Sequence, residues 1–508
     1  MFSFVRKIER FYKPPMQPME NKESVMISST LQKNIDTLQQ RFNGSSDFTV
    51  KMLSLNIGDK QLSVAVITME GLVNKETLAL SVTNPISNYC HSENIEGADV
   101  LKLIQYDILT CSEQVTVNYL EEITTYIMAG FACILVDSCP QGLVIGVQGF
   151  SFRSVSEPET EVVQRGSREG FVEPLRINMT LLRRRLRNTN LKFETMTLGS
   201  VSQTDICLCY LTGTVSEDIL AELKKRLGKV NLDTLFASGY LVSYLDDNGD
   251  KPLFSGVGVT ERPDTACAKI CEGRIVILVD GTPSALVVPH LMVENFQTLD
   301  DYSNRPYFAT MTRWLKYIAF AISVLLPGLY VAIATFNPEF FPSQLLTKVA
   351  TSISKTPFSV FAEVLLFTFI YEIMREAGLR LPKTLGHAVS IIGGLVIGET
   401  AVNSGLIGAP TLMIVALTAI CSYVIPDLYA SIAILRFLFI FFGGIWGVWG
   451  VFLLFCVVVI NVCSKDSFGV PFSSPIAPLS LFGLRDVVVR ADWKVLARRQ
   501  MQVQDLIE

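Results

Sequence analysis

Residues Trp314 to Phe336 read WLKYIAFAISVLLPGLYVAIATF. From Ala319 to Phe336 no residue is charged, and Arg313 and Lys316 stand at the entrance. A helix of about 20 apolar residues crosses the ~30 Å hydrocarbon core of a bilayer. The stretch is therefore long enough to span. Ahead of it the sequence is of ordinary mixed composition, and behind it apolar runs continue to Cys463. It divides a water-soluble half from a membrane-embedded half. Pro327 and Gly328 lie at its centre and predict a coupling kink, because proline removes a helix hydrogen bond.

Composition agrees with that division. The 508 residues leave room for several domains. Mean hydropathy is +0.38, high for a soluble chain, and the excess falls after Trp314. A formal charge of −5 makes no case for nucleic acid as a partner. The opening MFSFVRKIERFYKPPM is charged and has no apolar core segment, so no secretory signal is read and the soluble half is expected to stay cytoplasmic. Eleven cysteines follow no disulfide or zinc spacing, and the histidines are His91, His290 and His387. Buried reduced thiols are expected, with no metal and no cofactor.

The soluble half contains a repeat. Gly130 to Asp137 (GFACILVD) resembles Gly273 to Asp280 (GRIVILVD), 143 residues on, and Leu143 to Ile145 falls on Leu286 to Val288 at the same offset. Val64 to Val73 matches Ile206 to Val215, and Leu31, Ile35 and Leu38 fall on Leu175, Met179 and Leu182. In each copy helical spacing leads (Thr30 to Phe42, Pro174 to Arg187). Strand patterns follow at Val50 to Leu55 and Leu62 to Met69, then at Phe193 to Leu198 and Asp205 to Leu211. Further helices are predicted at Gly97 to Tyr106, Glu113 to Met128, Ser216 to Leu227 and Asp264 to Cys271. Each copy closes on two strands joined by a short turn. The fold class is α/β plus membrane α-helical: a duplicated cytoplasmic α/β module followed by a polytopic helical membrane domain. Its boundaries are an N-terminal segment 1–27, subdomain 1 at 28–152, a linker 153–172, subdomain 2 at 173–300, a transmembrane domain 301–463 and a cytoplasmic tail 464–508.

The linker carries Arg165, Arg168 and Glu169 on a glycine-containing stretch. It reads either as an anion cradle of backbone amides or as a solvated turn. Arg183, Arg184, Arg185 and Arg187 form a basic cluster, expected on a solvated or membrane-facing side of a helix. Asp137 and Asp280 end their strands, where a ligand group or a turn cap is placed. No P-loop, GxSxG, HExxH or paired CxxC is present, so no enzyme is read.

Later spans are predicted at 357–374, 388–408, 410–425 and 431–463. The second carries Glu363 and Glu372, nine residues and hence 900° apart, on opposite faces. Glu372 is read as part of an interfacial patch with Arg375, Glu376 and Arg380. The third is glycine-rich and holds Glu399 and Asn403, which with Glu363 are the candidate ion-path residues, since carboxylates are costly in lipid. As one helix, 431–463 would measure about 50 Å. It is either a tilted, kinked helix or a hairpin near Gly443-Gly444. Basic residues place the loop after the second segment and the tail inside. That demands an even number of crossings, met by a re-entrant third segment or by the hairpin. Lys348 and Lys355 in the external loop run against the charge rule.

Several stretches, in order, resemble one family: RGSREGF (Arg165 to Phe171), LLRRRLR, TERPD (Thr260 to Asp264), EGRIVILVDGTPSALVVP (Glu272 to Pro289), REAGLRLP (Arg375 to Pro382), HAVSIIGGLVIGETAV (His387 to Val402) and FGVPFSSPIAPL (Phe468 to Leu479). The chain resembles the A subunit of GerA-type spore germinant receptors. Ser167 stands where that family usually has Pro, and Glu399 where it often has Gln. The resemblance implies a multi-pass protein of the spore inner membrane. It implies work with a transporter-like B subunit, to which nutrient binding is assigned, and a lipoprotein C subunit. It further implies a homo-oligomer, with a pentamer as the suggested size, that conducts ions. The alternatives are a non-conducting scaffold or an accessory spore stage V member of the same family.

Overall fold

The computed structural model describes residues 25–57, 60–91, 98–109, 114–149, 157–158, 160–246, 253–381, 398–480, 483–496 and 502–506. The N-terminal segment up to residue 24 and residues 388–397 of the third predicted span, with Gly393 and Gly394, lie outside them.

Both copies of the repeat fold alike. The first has α1 (Leu31–Arg41), β1 (Phe48–Ile57), β2 (Lys60–Met69), β3 (Cys90–His91), β4 (Gln114–Val117), α2 (Leu120–Met128), β5 (Ala132–Val136) and β6 (Gly142–Ile145). The second has α3 (Leu175–Arg185), β7 (Leu191–Leu198), β8 (Thr204–Leu211), α4 (Glu217–Leu227), β9 (Gly258–Thr260), α5 (Pro263–Cys271), β10 (Ile275–Val279) and β11 (Ala285–Val288). The sheet orders are β3-β1-β2-β5-β6-β4 and β7-β8-β10-β11-β9. Apart from the added β3, position for position they agree, and the shared pairings are antiparallel. The helix expected at Glu113 to Met128 starts only at Leu120. Gln114 to Val117 is an edge strand, because its β-branched alternation pairs with β6.

Each copy repeats the same clamp. Asn34 bonds both ways with the backbone of Ser28, and Asn178 does so with Val172. Asp137 accepts from the Leu31 amide at 3.1 Å, and Asp280 from the Leu175 amide at 2.9 Å. These aspartates satisfy helix donors that have no partner inside the helix. Their role is the cap, not a ligand group. Apolar side chains fill both faces of each sheet, since helices cover both.

The two copies join through a buried pair. Arg183 reaches Asp47 at 2.8 Å and also bonds Ser45 and the Leu191 carbonyl. Arg184 and Arg185 both bind Glu169. Arg183 is thus not on a solvated or membrane-facing side, because a carboxylate from the first module meets it, while Arg184 and Arg185 stay partly exposed against the linker's Glu169.

The helical half begins with α6 (Pro306–Phe336), which starts ahead of Trp314 because Pro306 suits the first helical turn. Then come α7 (Ser343–Ile353), α8 (Val360–Arg380), α9 (Gly398–Asn403), α10 (Ala409–Ser422) and α11 (Tyr429–Ser464). Helix α6 runs unbroken through Pro327. Gly328 matters for closeness: a Cβ there would stand 2.5 Å from the Phe439 carbonyl oxygen, and one on Gly443 2.5 Å from that of Gly328. Small residues let the two helices touch backbone to backbone.

Helix α11 is a hairpin. Gly447 has φ 61° and ψ −146°, a conformation only glycine takes readily. A Cβ on Gly443 would meet Val451 at 3.2 Å. Ser431 donates to the Leu253 carbonyl, while Lys465, at the other end, reaches Asp246 at 3.2 Å. Both ends therefore stand on the second module. The turn lies at Gly447, just beyond the predicted Gly443-Gly444, because those glycines serve the contacts with α6 and Phe361. The tail also packs on the second module. Phe468, Val470, Val487, Val503 and Leu506 enter its core.

Candidate functional site

The candidate site lies at the end of the helical half away from the modules. Ser359 caps α8, and Glu363 in its first turn is 1% exposed. One oxygen, Oε2, accepts from the Thr411 hydroxyl at 2.9 Å and from the Gly408 amide at 3.3 Å. The Tyr330 hydroxyl lies 3.2 Å from that of Thr411. Glu363 Oε1 has no partner among the described residues. A buried carboxylate oxygen without a donor costs free energy that a purely structural site would avoid. A Cβ on Gly408 would stand 2.7 Å from Ser352 Oγ, which would have to move aside, and in ordinary contact with Glu363 Oε2 at 3.6 Å.

Ser352, which approaches Gly408 next to this carboxylate, also lines a cavity of about 510 Å³ that Glu363 itself does not line. Thr347, Lys348, Thr351, Ser352 and Lys355 of α7 and its end face Asn403, Gly405 and Ala409 across it. The structure thus brings Asn403 to the end of the bundle that holds Glu363. Glu399 is exposed on α9 and does not join them.

Glu372 lies nearer the modules and leaves the expected interfacial patch. It accepts from the Tyr429 hydroxyl at 2.5 Å and pairs with buried Arg436 at 3.4 Å. Arg375 stacks on Tyr429 at 3.2 Å, and Glu376 pairs instead with Arg380. A single arginine within an apolar run calls for a carboxylate partner. That signal was in the sequence, but the choice of Glu372 needed the hairpin.

At the junction with the second module is a knot that sequence reasoning missed. Arg313 binds Asp301 at 3.2 Å and Asp486 at 3.0 Å. Tyr302 donates to Asp486 at 2.7 Å, and Trp314 donates to the Val488 carbonyl at 2.9 Å. Burial, reinforced by the Asp486 carboxylate, pushes the Tyr302 hydroxyl well above its usual range, so it stays a donor. Its members come from segments far apart in the chain, and no local spacing marks them. In the linker, Arg168 makes an exposed pair with Glu157, and Arg165 is exposed while its amide bonds Asp300. Asp300 takes the amides that an external anion would need, so the cradle is already filled.

Two helical stretches, Pro306–Phe336 and Pro426–Ser464, are long and apolar enough to cross a membrane by length and composition. The class is therefore a paired α/β module carried on an apolar helical bundle. The chain belongs to the GerA spore germination protein family: residues 36–502 match the family described as Bacillus/Clostridium GerA spore germination protein. It is 37% identical over 476 residues to spore germination protein KA of Bacillus subtilis (strain 168), covering 93% of this chain and 87% of that protein. Stage V sporulation protein AF of the same organism is 25% identical over 475 residues, covering 93% and 95%. The crystal structure of the N-terminal domain of the A subunit of the Bacillus megaterium spore germinant receptor GerK3 aligns with 53% of this chain and 99% of that chain. Its sequence identity is 24% and its TM-score 0.41.

Proposed function

We propose that this chain is the A subunit of a nutrient germinant receptor in the spore inner membrane. In this reading its helices cross the bilayer several times and oligomerise, as a pentamer or a similar ring, into a germinant-gated ion path. The modules and tail are cytoplasmic, and B and C subunits are the partners. The observation that carries the reading is the buried Glu363 in the helical half, with one carboxylate oxygen uncommitted among the described residues. Further support comes from the return of both ends of the helical half to the second module, which fits an even number of crossings. Germinant added to liposomes holding the chain and its partners should release K⁺, and Glu363→Gln should strongly reduce that flux. No flux from the intact complex sinks the reading.

The second reading is a non-conducting scaffold, or an accessory member like the stage V relative. The two hydrogen bonds on Glu363 Oε2 favour it, since they are what a structural carboxylate needs. In that case Glu363→Gln and Glu399→Gln spores germinate normally while the protein accumulates.

A further inference from the structure

Helix α7 carries Lys348, Thr351 and Ser352 at the spacing i, i+3, i+4, which is one helical face, and Lys355 follows in the turn just past its last residue, Ile353. All four line the 510 Å³ cavity. The opposite side holds Leu346, Val349 and Ile353, with Val349 buried against the bundle. The threonines at 347 and 351 spend their hydroxyl protons on carbonyls of their own helix. Lys348, Lys355, Ser352 and Asn403 have no side-chain partner among the described residues. Two ammonium groups, a hydroxyl and an amide are thus left to donate into one space, and no acidic residue lines it among the described residues. The volume lies within the range of roughly 300–1,000 Å³ that takes an organic ligand rather than a bare ion.

We infer that this cavity binds the headgroup of an anionic phospholipid in the leaflet far from the modules. The inference rests on the membrane reading of the helical half. A phosphodiester supplies the acceptor oxygens that the four donors lack, and a short amphipathic helix with one lysine on its polar face and another just past its end lies naturally at an interface. The same occupant accounts for two lysines on the side where the charge rule disfavours them. Neutralised by a phosphate, they would no longer repel cations approaching Glu363.

The test uses the full chain purified in mild detergent and placed in nanodiscs of phosphatidylglycerol or phosphatidylcholine. Co-purified lipid is then counted by native mass spectrometry. The wild type should retain phosphatidylglycerol over phosphatidylcholine, and Lys348→Gln with Lys355→Gln should lower that preference roughly 30-fold, the attraction of two lysines to an anionic surface. Lys494→Gln, on the tail, should leave it unchanged. If the double variant fails to accumulate, Lys355→Gln alone should show a partial loss. An unchanged preference in the lysine variants overturns the site. Equal displacement of the lipid by millimolar inorganic phosphate overturns the lipid and leaves a soluble anion. Recovery of the chain without detergent would instead sink the membrane reading itself.

Discussion

The two α/β modules share a strand order, a helix clamp and a capping aspartate, yet they are attached differently. The second module is tied to the linker through Arg262 and Ser167, to the tail through Phe468 and Val503, and to α6 through Lys316, which donates to the Phe296 carbonyl and the Thr298 hydroxyl. The first is held on the second chiefly by Arg183 with Asp47 and by Arg176 with Glu70. Among the described residues, the second module therefore holds the tail and the start of the helical half, while the first packs on its twin.

The largest expected effect breaks that contact. Asp47→Ala leaves the Arg183 guanidinium buried without its carboxylate, which costs about 3–5 kcal/mol. Calorimetry should then resolve two module transitions where the wild type has one; a single unshifted transition would refute the asymmetry. Acid should act next, and on the second module. Burial alone would raise the Glu294 carboxyl, but Arg274, Lys269 and His290 outweigh it and hold it well below 4.5. A depressed carboxyl contributes stability above its unfolded pKa and loses it as pH falls through the folded value. Melting of the second module should therefore weaken progressively below about pH 4.5, and Glu294→Gln should flatten that dependence.

The helical half sharpens the contrast between glycines. Gly328→Ala drives a methyl into the Phe439 backbone and should cost about 1–3 kcal/mol in detergent melts. Gly239→Ala in the second module meets nothing within 4 Å and should be neutral or slightly stabilising. The smallest effect compares the caps. Asp137→Ala and Asp280→Ala should each cost about 1 kcal/mol. A much larger loss at Asp280 would mean that its clamp carries load from the helices.

Much of this architecture was legible in the chain itself. The 143-residue offset returned as two sheets with one strand order, since strand alternation and helix period are local properties. Of the linker's two readings the solvated turn agrees with exposed Arg165 and Arg168, whereas the burial of Arg183 was not legible because its partner, Asp47, lies 136 residues away. Glu363 was legible as a costly carboxylate, but its Thr411 and Gly408 donors were not.

The sequence by itself determined the division at Trp314, the repeat, the apolar lengths and the family motifs, because each is a matter of composition or short-range order. Only the tertiary structure decided that residues 429–464 turn back at Gly447, and that Arg436 then meets Glu372. Hydropathy measures how much apolar chain there is, not its direction. A single glycine at positive φ reverses that direction, and it also decides which charges meet.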